Sequence, residues 1–118
     1  MKILDKRVVV TGAASGIGKA LCIAFKEAGA QSLVCVDMNI EGAKETADLV
    51  GGIAVEANVA KEDDIKNVIE KANEFSDGID IFCSNAGIGG VPGFFEAEAQ
   101  DWQTIWEINV QSHIHAAK

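Results

Sequence analysis

Unbroken apolar runs of strand length alternate along the chain with segments in which apolar residues return every three or four positions. Residues 7–11, Arg-Val-Val-Val-Thr, are β-branched and show no alternation, the pattern of a strand covered on both faces. Ile17, Ala20, Leu21, Ala24, Phe25 and Ala28 then recur at spacings of three and one. They predict the apolar face of a helix that Gly29 ends in a left-handed cap. A second strand is expected over 32–37, a helix from Glu41 until Gly51-Gly52 stops it, and a third strand over 53–57. A further helix from about Glu62 carries Ile65, Val68, Ile69, Ala72 and Phe75 on one face, with Glu62, Asp63 and Asp64 suited to its positive end. A fourth strand over 80–84, a Gly-rich loop over 85–93 and a last helix from about Asp101 complete the pattern.

Alternating strands and helices predict an α/β fold with a parallel sheet and right-handed crossovers. A chain of 118 residues, 48% of them hydrophobic, is long enough for one core, so residues 1–118 read as a single domain. The last helix is still in its periodic pattern at His113-Ile114-His115, with no cap after it. The chain is therefore expected to be part of a longer one.

A net charge of −8 argues against a phosphate-backbone surface, so no nucleic-acid partner is expected. Cys22, Cys35 and Cys83 are odd in number and set among apolar neighbours, which fits buried reduced thiols and predicts a cytoplasmic location. The apolar run near the N-terminus breaks at Thr11, too short for a signal peptide or a membrane span, and no membrane partner is expected.

Candidate chemistry begins at Thr11-Gly12-Ala13-Ala14-Ser15-Gly16-Ile17-Gly18, between a strand and a helix. Glycines there let backbone N–H groups approach a phosphate, whose charge the helix dipole favours. A P-loop needs four residues before its Gly-Lys-Ser/Thr, but five separate Gly12 from Gly18-Lys19, and Ala20 lacks the hydroxyl that would bind magnesium. The fingerprint G-x-G-x-x-G also fails, because Leu21 stands at its third glycine. Thr-Gly-x-x-x-Gly-x-Gly does fit. Asp37, at the end of the second strand, can accept hydrogen bonds from the adenosine ribose hydroxyls and would repel a 2′-phosphate. The alternative is that Asp37 only starts a turn before Met38-Asn39. No Arg or Lys precedes Gly18 in the loop or directly follows Asp37, so NAD is favoured over NADP.

Thr11-Gly12-x-x-x-Gly16-x-Gly18, Asp37, Asn58-Val59, Ser84-Asn85-Ala86-Gly87 and Asn109-Val110, in this order, resemble the short-chain dehydrogenase/reductase family over essentially the whole chain. The resemblance implies a Rossmann-type doubly wound parallel sheet of strand order 3-2-1-4, with the family's remaining strands missing. It further implies that Gly12, Ser15, Gly16, Ile17 and Gly18 line the pyrophosphate and adenosine ribose, and that Asp37 holds that ribose. Asn58 and Val59 stand where the family has Asp-Val against adenine; Asn keeps an acceptor oxygen and loses a charge. Asn85, Ala86 and Gly87 would run beside the cofactor, with Asn85 and Gly87 near its riboses. Asn109 resembles the helix asparagine of the catalytic tetrad, which holds a water at a local break in the helix.

The same resemblance implies hydride transfer between an alcohol or carbonyl carbon and nicotinamide, using a serine and a Tyr-x-x-x-Lys arrangement. The sequence has no tyrosine, so these 118 residues alone are expected to be inactive. The loop from Ile88 to Ala99, with Phe94 and Phe95, would wall the substrate site and hints at an apolar ligand. His113 and His115 read as ordinary helix surface, with no metal site. Trp102 and Trp106 share a helix that in this family commonly forms half of a dimer interface, so a homo-oligomer is expected. Two other readings stand beside this one. A non-catalytic dinucleotide-binding module or interaction partner shares every motif; an S-adenosylmethionine-dependent methyltransferase is disfavoured by the glycine spacing and by Ser84-Asn85-Ala86-Gly87.

Overall fold

The computed structural model describes residues 1–90 and 92–118. Strands β1 (Arg7–Thr11), β2 (Ser32–Asp37), β3 (Ile53–Glu56) and β4 (Ile81–Cys83) alternate with helices α1 (Gly16–Glu27), α2 (Ile40–Val50) and α3 (Glu62–Ser76). The chain then forms α4 (Ala99–Trp106), a π-helical turn (Glu107–Gln111) and α5 (Ser112–Ala117). All strand pairs are parallel, in the order β3-β2-β1-β4. This is the Rossmann-type order expected from the sequence.

The unbroken apolar runs follow from helices on both faces of the sheet. Val8 lies opposite Leu33 and Ile81, and Val10 opposite Cys35 and Cys83. On this face Val8, Val10, Leu33 and Cys35 pack with Cys22 of α1 and with Ala47 and Val50 of α2. Val9, Val34, Val36 and Val55 pack on the other face with Val68 and Ala72 of α3. Burying each such valine contributes roughly 1.5–3 kcal/mol, so β1 and β2 are fixed from both sides.

Two helix faces differ from expectation. In α1 the buried residues are Gly18 and Cys22, whereas Ile17 is 74% exposed and Ala20, Ala24 and Ala28 are exposed. Small residues let α1 approach the sheet closely, and the larger Leu21, Ile23 and Phe25 pack only partly at its flanks. On α3, Ile65, Val68 and Ala72 are buried, but Phe75 is exposed, in the last turn where little of the helix remains to cover it.

Cys22 and Cys35 are buried free thiols with their Sγ atoms 3.7 Å apart, and the hydrogen bond to Cys35 together with burial pushes the Cys22 thiol well above the usual thiol range. Cys83 is only half-buried, in contrast to the expectation for all three cysteines, because β4 is an edge strand. Its start is pinned by Arg7. The guanidinium donates from Nε to Asp80 Oδ2 and from Nη2 to Oδ1, both at 2.9 Å, and the Arg7 backbone N–H also donates to Oδ2 at 2.9 Å. This fork holds the Asp80 carboxyl well below the usual carboxylate range.

Among the described residues, no helix is long and apolar enough to cross a membrane.

Candidate functional site

The ends of β1, β2 and β4 and the start of α1 open onto a cleft of about 430 Å³, at the carboxyl edge where open α/β sheets bind ligands. Its lining includes Gly12, Ser15, Gly16, Ile17, Gly18, Asp37, Val59, Asn85, Ala86 and Gly87. These residues come from four loops distant in sequence. The sheet brings them together.

The glycines of the first loop meet different demands. Gly12 has φ of 73°, and a Cβ there would lie 3.0 Å from Ala86 Cα and from Asn85 Nδ2. At Gly18 a Cβ would stand 1.9 Å from the Gly12 carbonyl oxygen, so this glycine lets α1 pack on the loop. Gly16 has φ of 53°, and a Cβ there would have no atom within 4 Å, which leaves open space over the helix start.

That helix start also lacks the neutralising groups found at the starts of α2, α3 and α4. Ser15 makes no capping hydrogen bond with its side chain, and the first turn of α1 contains no acid. By contrast, Asn39 accepts from Gly42 N at the start of α2, α3 opens on three acids, and Glu98 and Asp101 form a capping box on α4. The first N–H groups of α1 therefore face the cleft with their partial positive charge uncompensated, a setting that suits an anion.

Asp37 stands on the opposite side of the loop. Its Oδ2 accepts from Ala14 N at 3.0 Å and its Oδ1 from Asn39 N at 2.9 Å. The carboxylate thus starts the turn before Met38-Asn39 and also lines the cleft, so the two readings of this residue coincide. Each oxygen keeps a further lone pair for a ligand. Thr46 supports the same loop from below, donating to Ala13 O at 2.8 Å.

The wall formed by residues 84–88 is tied to its surroundings by side chains. Buried Thr11 accepts at Oγ1 from the backbone N–H of both Asn85 and Ala86 at 3.0 Å, and Asn85 Nδ2 donates to Thr11 O at 3.0 Å. Asn109 grips Ile88 twice: Oδ1 accepts from Ile88 N at 2.8 Å, and Nδ2 donates to Ile88 O at 2.9 Å. It lies within the π-helical turn Glu107–Gln111, where i→i+5 winding interrupts the α-helix. Asn109 does not itself line the cleft; its neighbour Ile108 does.

Asn58 falls outside the lining. Its Oδ1 accepts from Ala60 N at 3.0 Å, and its backbone N–H donates to Asp64 Oδ2 at 2.8 Å, so this side chain shapes the turn into α3. Ala57 takes its place in the cleft, joined by Met38, Ile88 and Ile108. Hydrophobic periodicity gives no signal for these four, which are ordinary apolar residues until the fold gathers them. Phe94 lies edge-on to Phe95 and to Trp102, with ring centres 5.4 and 6.2 Å apart, and all three rings are exposed. His113 is exposed but bonded to Ser84, whereas His115 is half-buried beside α3.

The sequence profile of the short chain dehydrogenase family matches residues 6–118. Among curated proteins, the chain is 33% identical over 122 residues to "Glucose 1-dehydrogenase 2" of Bacillus subtilis, covering 98% of this chain and 47% of that one. It is 32% identical over 123 residues to "7alpha-hydroxysteroid dehydrogenase" of Escherichia coli, covering 100% of this chain and 48% of that one. Among solved structures, 3-ketoacyl-(acyl-carrier-protein) reductase of Brucella melitensis, complexed with NADH, superimposes with a TM-score of 0.92 at 31% identity, over 98% of this chain and 48% of that one. The chain thus spans about half the length of these relatives. A four-strand parallel sheet with an open helix start at its carboxyl edge, together with a profile match over nearly its whole length, makes this chain a member of the short-chain dehydrogenase family.

Proposed function

We propose that the cleft holds NAD, and that the chain is the cofactor-binding part of an oxidoreductase that moves a hydride between an alcohol or carbonyl substrate and nicotinamide. The observation that carries this reading is one cleft that joins an uncapped helix start to a carboxylate at the end of the neighbouring strand. The helix start suits a pyrophosphate. The Asp37 carboxylate suits ribose hydroxyls and opposes a 2′-phosphate by like-charge repulsion.

On this reading Gly12, Ser15, Gly16, Ile17 and Gly18 hold the pyrophosphate and the adjoining ribose. Val59 lies toward adenine, and Asn85, Ala86 and Gly87 run beside the riboses. When bound, the dinucleotide supplies the hydride acceptor. Asn109, anchored to Ile88, belongs to the proton relay. The 118 residues contain no tyrosine to serve as acid and base, so they bind the cofactor without turning substrate over. The protein acts in the cytoplasm as a homo-oligomer, in which exposed Trp102 and Trp106 contribute a subunit surface.

Fluorescence titration with NADH and NADPH tests the cofactor assignment. NADH is expected to bind at least about tenfold more tightly, and Asp37→Ala to shrink that preference as the repulsion is removed. Tighter binding of NADPH or of S-adenosylmethionine by the wild-type chain would refute the NAD assignment. Turnover of any alcohol by the 118 residues alone would refute the proposed division between binding and chemistry.

A further inference from the structure

The wall of the cleft from Ser84 to Ile88 is held at three points. Thr11 holds Asn85 and Ala86 from β1, and Asn109 holds Ile88 from the π-helical turn. The third is the contact of Ser84 Oγ with His113 Nδ1 at 2.6 Å, short even for a hydroxyl hydrogen bond. Neither side chain lines the cleft. We infer that Ser84 and His113 form a positioning pair that fixes the helix carrying Asn109 against the cleft wall. This rests on the reading of the cleft as an NAD site.

Elsewhere the helix is held at its far end, where Lys118 Nζ donates to Glu62 Oε1 of α3 at 3.2 Å. No residue of α4 or of the π-helical turn is buried, and Ser112 is the one buried residue of α5. Polar ties therefore set its placement. The tie at Asn109 fixes one point of the helix beside the wall; a second tie at His113, one turn on, fixes its orientation there. Regular α winding carries residue i+4 about 40° past residue i. The wider π turn over Glu107–Gln111 takes back part of that offset and brings Asn109 and His113 toward one face. The wall is gripped in the opposite sense, since the later helix residue meets the earlier wall residue. With both ends seated, the Asn109 carboxamide meets the N–H and the C=O of Ile88 together. The serine hydroxyl can donate to Nδ1 or accept from it, so the tie survives either tautomer of the imidazole.

The test compares the intact wild-type protein with Ser84→Ala, His113→Ala, the double variant and the conservative Ser84→Thr, by amide hydrogen exchange at Ile88 and by NADH titration. Loss of one net hydrogen bond corresponds to roughly a three- to tenfold change. Each alanine variant is expected to speed exchange at Ile88 and to weaken NADH by about that factor. The double variant should do no worse than either single one, and Ser84→Thr should stay within about twofold of wild type. Exchange at Ile88 unchanged in both alanine variants would overturn the pair, as would additive losses in the double variant. If Ser84→Ala does not fold, His113→Ala and Ser84→Thr decide the question by the same readouts. A wild-type protein that fails to bind NADH would overturn the NAD reading alone, because exchange at Ile88 still tests the tie.

Discussion

The two ends of this chain hold the cleft by different physics. Among the described residues every buried apolar side chain lies between Val8 and Ala72, and the cradle formed by Gly12 to Gly18 is shaped by that packing. Beyond Gly87 the aromatic residues face outward, Phe95 as much as 93% exposed, and Asn109 is placed by hydrogen bonds to Ile88. A packed region resists change through volume, because its neighbours cannot yield. A tied region resists through a few directional contacts, each worth about 0.5–1.5 kcal/mol net. The Gly12–Gly18 loop is therefore the rigid part of the cleft and the wall with its helix the adjustable part.

Gly18→Ala attacks this contrast hardest. The new methyl would stand 1.9 Å from Gly12 O, and backbone must move to relieve it. A loss of about 3 kcal/mol in urea unfolding is expected, together with loss of NADH binding. Stability within about 0.5 kcal/mol of wild type would remove the claim that packing shapes the cradle.

Thr11→Val probes the seam between the two regimes, keeping the shape while deleting the acceptor for Asn85 N and Ala86 N. Two N–H groups would lose their partner, at a cost of about 1–3 kcal/mol. A neutral outcome would mean that the wall does not depend on β1.

Acidification separates the edge strand from the core by a smaller effect. The folded-state carboxyl of Asp80 is depressed by Arg7, so its contribution is complete above the ordinary carboxylate range and is lost as pH falls below about 3.9 toward the depressed value. Asp80→Asn should therefore show a shallower acid decline in stability than wild type. Superimposable declines would show that the fork at the start of β4 adds nothing.

Phe95→Ser should do least. Its ring is almost fully exposed, and thermal unfolding is expected to change by no more than about 0.5 kcal/mol. A larger loss would place the outer loop inside the packed regime after all.

The sequence was most legible where packing rules. Arg7–Thr11 and Ser32–Asp37 are strands with the bounds their apolar runs predict, because both faces of each are buried. The face of α1 was not legible by hydrophobicity: its contact line is Gly18 and Cys22, chosen for smallness, while Ile17 turns to the cleft. Gly18, which reads as a phosphate glycine in sequence, lines the cleft and is a packing glycine as well. Asn58 lies outside the cleft lining, its carboxamide oxygen accepting from Ala60 N in a local turn that the motif does not record. The bond of Ser84 to His113 joins residues far apart in sequence, and no periodicity records it.

The central claim, that NAD lies along the carboxyl edge of β1, β2 and β4, is tested most directly by mapping backbone amide shifts in an NADH titration. The largest shifts are expected at Gly12, at Ser15 to Gly18 and at Asn85 to Ile88, with Met38 and Val59 also moving and the middle of α3 unchanged. Shifts concentrated instead in the groove between α3 and α5, around Ile69 and His115, with the Gly12–Gly18 loop silent, would contradict it.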